Sequence, residues 1–127
     1  MDNISQLLAR YFEVWNERDQ ERRCALLAQT WAEDGYLLGP LFRADGIDEI
    51  NGVAADLQEH FSAHEFRMAG EPNAHNDAVR FAWEFVPVGG ESPVAAGVDF
   101  GRLTSDGRIQ SIVTFVDLFP AGAGAHG

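Results

Sequence analysis

Apolar residues recur every three or four positions in three segments of the N-terminal half, which is the spacing of one face of a helix. The first stripe comprises Ile4, Leu7, Leu8, Tyr11, Phe12 and Trp15. A second helix is predicted after Asp19, with Cys24, Leu27 and Trp31 on one face. A third is predicted from Asp45, with the stripe Ile47, Ile50, Ala54, Leu57 and Phe61. Three amphipathic helices are therefore expected, and Cys24 is expected to be a buried thiol.

From about Glu65 the hydrophobic period changes to two, which is typical of β-strands with one buried face. The clearest example is the alternation of Val79, Phe81, Trp83 and Phe85 with Arg80, Ala82 and Glu84. Further strands are predicted around Phe66 and Met68, over Val94–Leu103 and over Arg108–Phe119, and a short strand, Gly35–Leu38, lies between the second and third helices. Glycine- and proline-containing turns separate the later strands.

This order of elements predicts an α+β fold in one domain, residues 1–120, followed by a flexible tail, residues 121–127. Consecutive strands with short connections pair antiparallel, and segregated helices cover only one face of the resulting sheet. The last strand is apolar on both faces, with Ile109, Val113 and Phe115 on one and Ile112, Val116 and Leu118 on the other. We therefore expect a homodimer through the uncovered sheet face; the alternative is a monomer with apolar residues in solvent.

Charge narrows the choice of partner. The 127 residues include 9 basic and 20 acidic side chains, for a net charge of −11. This charge disfavours binding to nucleic acid or to anionic membranes, although it also simply favours solubility. The N-terminal sequence lacks the pattern of a signal peptide, and no apolar stretch is long enough to span a bilayer, so a cytoplasmic location is expected.

Several short motifs resemble those of a known family. They are Tyr11–Asp19 in the first helix, Ala32–Gly35 with Gly39-Pro40 and Gly46–Ile50 further on, and Asp106–Ile109 with Phe115–Asp117 at the end. Their order and spacing are similar to SnoaL-like proteins of the nuclear transport factor 2-like superfamily. The resemblance implies three helices packed on a strongly curved, mostly antiparallel sheet, a cystatin-like α+β roll with a cone-shaped pocket for a small hydrophobic molecule. Its members include ketosteroid isomerase, polyketide cyclases, epoxide hydrolases and non-catalytic binding proteins, so the fold alone leaves the activity open.

Asp99 and Tyr11 are the first candidates for chemistry in such a pocket. Asp99 lies within an apolar strand, and burial there would raise the pKa of its carboxyl and leave an acid able to donate a hydrogen bond. By the resemblance, these two residues match the aspartic acid and tyrosine of the ketosteroid isomerase oxyanion hole. The alternatives place Asp99 on the outer face, paired with an arginine such as Arg102, and direct the Tyr11 hydroxyl to a backbone carbonyl.

An acid or base is also needed for proton transfer, and the resemblance places the isomerase's base just before a proline, where this chain has Gly39-Pro40. Asp117 is the candidate replacement, because it shares strand parity with Val113 and Phe115 and is expected to point inward. The alternative is a solvated residue at a strand end. The ligand-contacting wall is predicted to comprise Trp15, Trp31, Trp83 and Phe115, although aromatic residues at these spacings are also typical of a core.

The sequence contains parts of two further arrangements. The Asp-Arg-Asp arrangement of epoxide hydrolases would require Arg80 or Arg102 beside Asp99, and strand parity does not support it. His60 and His64 have the spacing of a helical zinc pair, but two solvated histidines are the favoured interpretation, and no metal or other cofactor is predicted.

Three functions remain open from the sequence. The first is a cofactor-free isomerase, cyclase or hydrolase acting on a small hydrophobic, oxygenated substrate, with Asp99 and Tyr11 donating to the developing oxyanion and Asp117 as acid or base. The second is a binding protein with the same pocket and no chemistry. The third is a structural dimer module in which large side chains fill the cone.

Overall fold

The computed structural model of the chain describes residues 2–118, with side chains from residue 4 onward, so the predicted tail, residues 121–127, lies outside the described residues. In this range the helices are α1 (Asp2–Asn16), α2 (Gln20–Thr30) and α3 (Gly46–His60). The strands are β1 (Trp31–Leu38), β2 (Arg43–Asp45), β3 (His64–His75), β4 (Ala78–Pro87), β5 (Ala95–Leu103) and β6 (Ile109–Leu118). The α+β fold predicted from the sequence is confirmed.

The six strands form one sheet in the order β2-β1-β6-β5-β4-β3. Every neighbouring pair is antiparallel except β1 and β6, which run parallel. The register shifts within β3, between Ala69 and Asn73, and in the β5–β6 pair beside Leu103 and beside Ala96. Irregularities of this kind bend a strand and increase its local twist, which helps a sheet to wrap around a cavity.

The strand boundaries differ from the predicted ones in three places. Trp31, predicted to lie on the second helix, begins β1. The short strand β2 was not predicted, because three residues carry too little pattern to be recognised. β3 continues through Pro72 to His75. A proline is tolerated there because β3 is an edge strand and Pro72 falls in its irregular stretch.

The second helix buries a different face from the predicted one. Asp19 caps it, accepting a 2.9 Å hydrogen bond from the Arg22 amide, as expected. However, the buried residues are Arg23, Leu27 and Thr30, and Cys24 is exposed, so the prediction of a buried thiol is wrong. The physical reason is that the Arg23 guanidinium finds enough acceptors to be buried, which turns its neighbour Cys24 toward solvent.

The core lies between the helices and the inner face of the sheet. Val79, Phe81, Trp83 and Phe85 of β4 all point inward and are buried. The end of α1 is fixed to the edge of the sheet by Asn16, whose side chain donates to the Phe66 carbonyl and accepts from the Phe66 amide, both at 2.8 Å. This two-bond contact copies a strand pairing and holds the preceding turn of α1 over the sheet.

Candidate functional site

A cavity of about 180 Å³ lies between α1, α3 and the inner face of the sheet. Its walls are almost wholly apolar, and the polar side-chain atoms come from five of its lining residues: Tyr11, Trp15, Trp83, Asp99 and Thr114. The apolar remainder comprises Phe12, Leu37, Phe42, Val53, Leu57, Phe61, Phe66, Phe85, Ala95 and Val116. A mostly apolar cleft with a few convergent polar groups is the usual form of a small-molecule site.

Asp99 lies on the inner face of the sheet, with Phe81 of β4 and Thr114 of β6 as its strand partners. Its side chain is 3% exposed. The Tyr11 hydroxyl, reaching across from α1, donates a 2.5 Å hydrogen bond to Asp99 Oδ2. The structure therefore brings the two candidate residues into direct contact and excludes the outward orientation of Asp99.

Burial dominates the electrostatics of this pair. Desolvation raises the pKa of the Asp99 carboxyl to about 6, although Thr114, Tyr11 and Trp83 beside it act in the opposite direction. Burial, followed by the charge of Asp99, raises the pKa of the Tyr11 hydroxyl well above its ordinary value. Around neutral pH, Tyr11 therefore remains a neutral donor, while Asp99 is close to its own point of protonation.

Two buried polar atoms at this wall have no hydrogen-bond partner among the described residues: Asp99 Oδ1 and Trp83 Nε1. Trp83 reaches this position because the residue beside it on β5 is Gly97. A Cβ on Gly97 would collide with the Phe115 carbonyl oxygen and lie 2.6 Å from Trp83 Cζ2. The missing side chain at Gly97 thus leaves room for the indole against β5, next to the carboxyl.

The other predicted site residues divide into three groups. Trp15 and Trp83 line the cavity. Trp31 is fully buried in the core, with its ring centroid 6.3 Å from that of Tyr11, and does not line the cavity. Phe115 is 58% exposed and Asp117 is also exposed, so the predictions that Phe115 lines the pocket and that Asp117 points into it are wrong.

The error on β6 has a clear physical cause. Thr114 and Val116 are the β6 residues that line the cavity, so the inward parity is the even one. The outer face of β6 is as rich in apolar side chains as its inner face. The hydrophobic pattern alone therefore does not distinguish the inside of the sheet from the outside. The shifted register beside Ala96 also places Asp117 at an irregularity near the strand end.

Phe42 is a site residue that the sequence analysis missed. It follows Gly39 in the β1–β2 turn, which is closed by a 2.9 Å hydrogen bond from the Gly39 amide to the Phe42 carbonyl. A Cβ on Gly39 would lie 2.5 Å from the Phe42 ring. An aromatic ring therefore occupies the space next to the position at which the resemblance places the isomerase base. The only feature of the sequence that could have pointed to Phe42 is an aromatic residue in a turn that contains Gly39-Pro40.

The remaining candidates lie away from the cavity. Arg80 and Arg102 are exposed on the outer face of the sheet. His60 Nδ1 lies 2.8 Å from the Asp56 carbonyl oxygen, and the His64 ring stacks on Phe85 at 5.3 Å. Within residues 2–118, no three His, Cys, Asp or Glu side chains are grouped so that they could hold a metal ion.

Comparison with known proteins agrees with this geometry. Residues 8–112 match the SnoaL-like domain. A SnoaL-like family protein from Agrobacterium tumefaciens C58, provisionally named an isomerase, is 33% identical; the match covers 92% of this chain and 99% of that one, with a TM-score of 0.85. No curated protein matches the sequence at a significant level.

More distant structures share the fold. A SnoaL-like protein from Jannaschia sp. CCS1, provisionally named a polyketide cyclase, is 18% identical with a TM-score of 0.72, and the match covers 91% of this chain and 86% of that one. A protein from Nostoc punctiforme with a cystatin-like fold is 20% identical with a TM-score of 0.66, covering 91% and 89%. In the described part of the chain, no helix is both long and apolar enough to cross a membrane.

Proposed function

Because the chain belongs to the SnoaL-like family, we propose that it is an isomerase or cyclase that moves a proton on a small hydrophobic carbonyl compound. Asp99 is the group that takes and returns the proton. A carboxylate is a sufficient base for a carbon acid beside a carbonyl when the product oxyanion is stabilised, so the reaction as proposed needs no cofactor.

The observation that carries this proposal is the state of Asp99. It is the only carboxyl among the residues lining the cavity, and it is enclosed. Its Oδ1 has no hydrogen bond of normal geometry among the described residues, although Thr114 and Trp83 lie close enough to the carboxyl to favour its charged form. A pKa of about 6 places its protonation close to neutral pH, where a group accepts and releases a proton most effectively. A carboxylate with a purely structural role would be expected to have donors on both oxygens.

The proposed step begins with Asp99 Oδ1, which takes a proton from a carbon next to the substrate carbonyl. The electrons of the broken C–H bond form the enolate, and the indole N–H of Trp83 donates to the enolate oxygen. When the substrate is a β,γ-unsaturated carbonyl compound, the enolate is a dienolate, and the neutral carboxyl then returns the proton to its γ-carbon, which moves the double bond and completes an isomerisation. In a cyclisation, the enolate carbon attacks a second carbonyl of the substrate, and the carboxyl protonates the alkoxide that forms.

Tyr11 acts as a positioning residue in this scheme. Its single hydroxyl proton is engaged by Asp99 Oδ2, so it is not free to donate to the substrate as predicted from the sequence. The contact holds the carboxyl in one orientation and leaves Oδ1 as the reactive oxygen. Because Asp117 is exposed, a single acid–base group must carry both proton transfers.

The test is hydrogen exchange on a simple probe. Cyclohexanone is incubated in D2O with the protein, and the loss of the proton signal next to the carbonyl is followed by NMR. The wild type should accelerate exchange, and Asp99→Asn should lower that acceleration by about 10²- to 10⁴-fold. Asp117→Asn is the matched control and should behave as wild type. Equal acceleration by wild type and Asp99→Asn would rule out the proposed role of Asp99.

Binding without chemistry is the second candidate, and one observation favours it. Position 39 is a glycine, and the Phe42 ring fills the space beside it. No side chain at position 39 can therefore act as a second base. For a binding protein, cyclohexanone would shift the NMR signals of cavity residues without accelerated exchange. The third function, a module with a filled cone, is not favoured, since a cavity of about 180 Å³ exceeds the roughly 150 Å³ that holds a benzene molecule in an engineered protein core.

Self-association through the outer sheet face also remains a proposal. The strand pairs Val98–Phe115 and Phe100–Val113 form an apolar cluster on this face, and both phenylalanines are exposed. Charges of both signs surround the cluster, with exposed arginines and Asp117 at its margin. Such a margin is complementary to a copy of itself turned by a two-fold axis, which supports an isologous dimer over a heterologous partner.

A further inference from the structure

Phe42 has a distinctive place in the cavity wall. It is 39% exposed, and it is the most exposed of the residues that line the cavity. The side chains around Asp99 and Tyr11, by contrast, are almost fully buried. Phe42 therefore stands where the cavity meets solvent, at the mouth, and the two residues of the proposed chemistry lie at the closed end.

The turn that carries Phe42 restricts where its ring can go. The ring lies in the space that a side chain on Gly39 would need, with ring carbons 2.5, 2.8 and 3.1 Å from an ideal Cβ. The backbone hydrogen bond between Gly39 and Phe42 holds the two residues together. Glycine at 39 thus allows the ring to pack against the turn, where it narrows the mouth.

The volume behind this ring sets a limit on size. A cavity of about 150 Å³ in an engineered protein core holds one benzene molecule, so about 180 Å³ is enough for one six-membered ring with a substituent. A second fused ring would have to extend through the mouth of the cavity, where Phe42 is the most exposed of the lining side chains. The walls offer apolar contact throughout, so size rather than polarity distinguishes one-ring from two-ring compounds.

We infer that Phe42 is the specificity-determining residue of this site, and that it restricts the substrate to carbonyl compounds with a single ring or an acyclic equivalent. The inference rests on the proposed function for the carbonyl group and adds the size limit. It also explains the glycine of the Gly39-Pro40 turn. A longer side chain at position 39 would occupy the space that the Phe42 ring fills.

The test compares cyclohexanone with trans-1-decalone, which carries the same carbonyl on two fused rings. Dissociation constants are measured by two-dimensional NMR titration. Burial of apolar area alone would make decalone the tighter ligand. The wild type should instead bind decalone no more tightly than cyclohexanone. Phe42→Ala should reverse this order, improving the ratio for decalone by about tenfold.

Leu41→Ala is the matched control, because Leu41 is the neighbouring turn residue, is 78% exposed and does not line the cavity. It should keep the wild-type order. An unchanged ratio in Phe42→Ala, or an equal change in Leu41→Ala, would overturn the inference. A second measurement concerns packing: Gly39→Ala should destabilise the wild type but be tolerated in a Phe42→Ala background, and equal costs in both backgrounds would contradict the shared space.

The size test and the test of catalysis fail separately. Asp99→Asn should lose exchange of cyclohexanone protons and should still, like the wild type, bind decalone no more tightly than cyclohexanone. If the wild type accelerates no exchange while Phe42→Ala reverses the order of binding, the size limit stands and the enzymatic function falls. If exchange depends on Asp99 and the order of binding never changes, the enzymatic function stands and the role of Phe42 falls.

Discussion

The Tyr11 hydroxyl lies 2.5 Å from Oδ2 of Asp99, so that a residue of the first helix is joined to one of the fifth strand across 88 positions of sequence. The contact is buried and links the two layers of the fold at the closed end of the cavity. It also divides the carboxyl into one committed oxygen and one free oxygen. The proposed chemistry depends on this asymmetry.

The first prediction concerns the pH dependence of stability. The folded pKa of Asp99, about 6, lies above its ordinary value of 3.8, so between these values the folded protein holds a proton that the unfolded chain has released. The contribution of Asp99 to the free energy of unfolding is therefore fully present below pH 3.8, the ordinary pKa, and is lost as the pH rises through the folded pKa of about 6. The total loss is about 3 kcal/mol.

Asp99→Asn removes this contribution, so the comparison cancels the effects of the other carboxyls. Urea unfolding of both proteins at about pH 4 and about pH 8 should show wild type losing about 2.5 kcal/mol relative to the variant as the pH rises, because a small part of the total is already lost at pH 4. A difference that stays constant over this range would mean that the folded pKa of Asp99 is close to its ordinary value.

The second prediction concerns Gly97. Alanine at this position brings its Cβ against the Phe115 carbonyl oxygen and the Trp83 indole, neither of which can yield without moving the strand or the cavity wall. Gly97→Ala should lower the free energy of unfolding by about 3 kcal/mol or more. Gly52→Ala is the control: it lies in α3 with open space around its Cβ and should raise stability by about 0.5–1 kcal/mol. A mild effect at Gly97 would show that Trp83 is not held by close packing.

The third prediction concerns the buried Arg23. Its guanidinium donates to the side chains of Asn51, Gln58 and Gln20 and to the Glu17 carbonyl, at 2.6–3.0 Å, which joins α2 to α3 and to the residue that follows α1. Arg23→Ala leaves several of these acceptors unsatisfied and should cost about 2–4 kcal/mol of unfolding free energy. Arg23→Lys should recover only part, because an ammonium cannot reproduce the planar set of donors. Thermal unfolding of both Arg23 variants checks this role. Arg22→Ala, at an exposed position of the same helix, is the control and should be nearly neutral.

The fourth prediction concerns self-association. A charge at the centre of the apolar outer face should oppose dimer formation, so Phe115→Asp should be monomeric while the wild type is a dimer of the 14.0 kDa chain. Light scattering coupled to size exclusion measures both masses, and Glu13→Ala, on an exposed position of α1, serves as control. A wild type that is monomeric at micromolar concentration would contradict the dimer.

Much of the fold followed from periodicity. The stripe of α1 and the alternation of β4 predicted both elements and their buried faces, because each has one apolar and one polar side. β6 shows why the same reasoning fails elsewhere. Both of its faces are apolar, so parity alone put Phe115 and Asp117 inside when they are outside.

The site was predictable to the extent that a single residue broke a pattern. Asp99 was recognised because a carboxyl in an apolar strand is costly without a purpose. Its contact with Tyr11 depends on tertiary packing, and helix spacing predicted only that the Tyr11 ring is buried. Phe42 and Gly97 could not be recognised, because their importance lies in space shared with residues distant in the fold or in a turn without periodicity. Arg23 was missed because a buried arginine with neutral partners leaves no charge pattern.

The proposed chemistry requires Asp99 to be an enclosed carboxyl near its point of protonation, held by Tyr11. A pH titration of the Asp99 side-chain carboxyl by carbon-13 NMR, with Asp99→Asn used to assign the signal, measures this protonation itself. The midpoint should be about 6 in the wild type and higher in Tyr11→Phe, because that variant lacks a donor that favours the charged form. A midpoint near 3.8, or one that Tyr11→Phe leaves unchanged, would contradict the proposed chemistry.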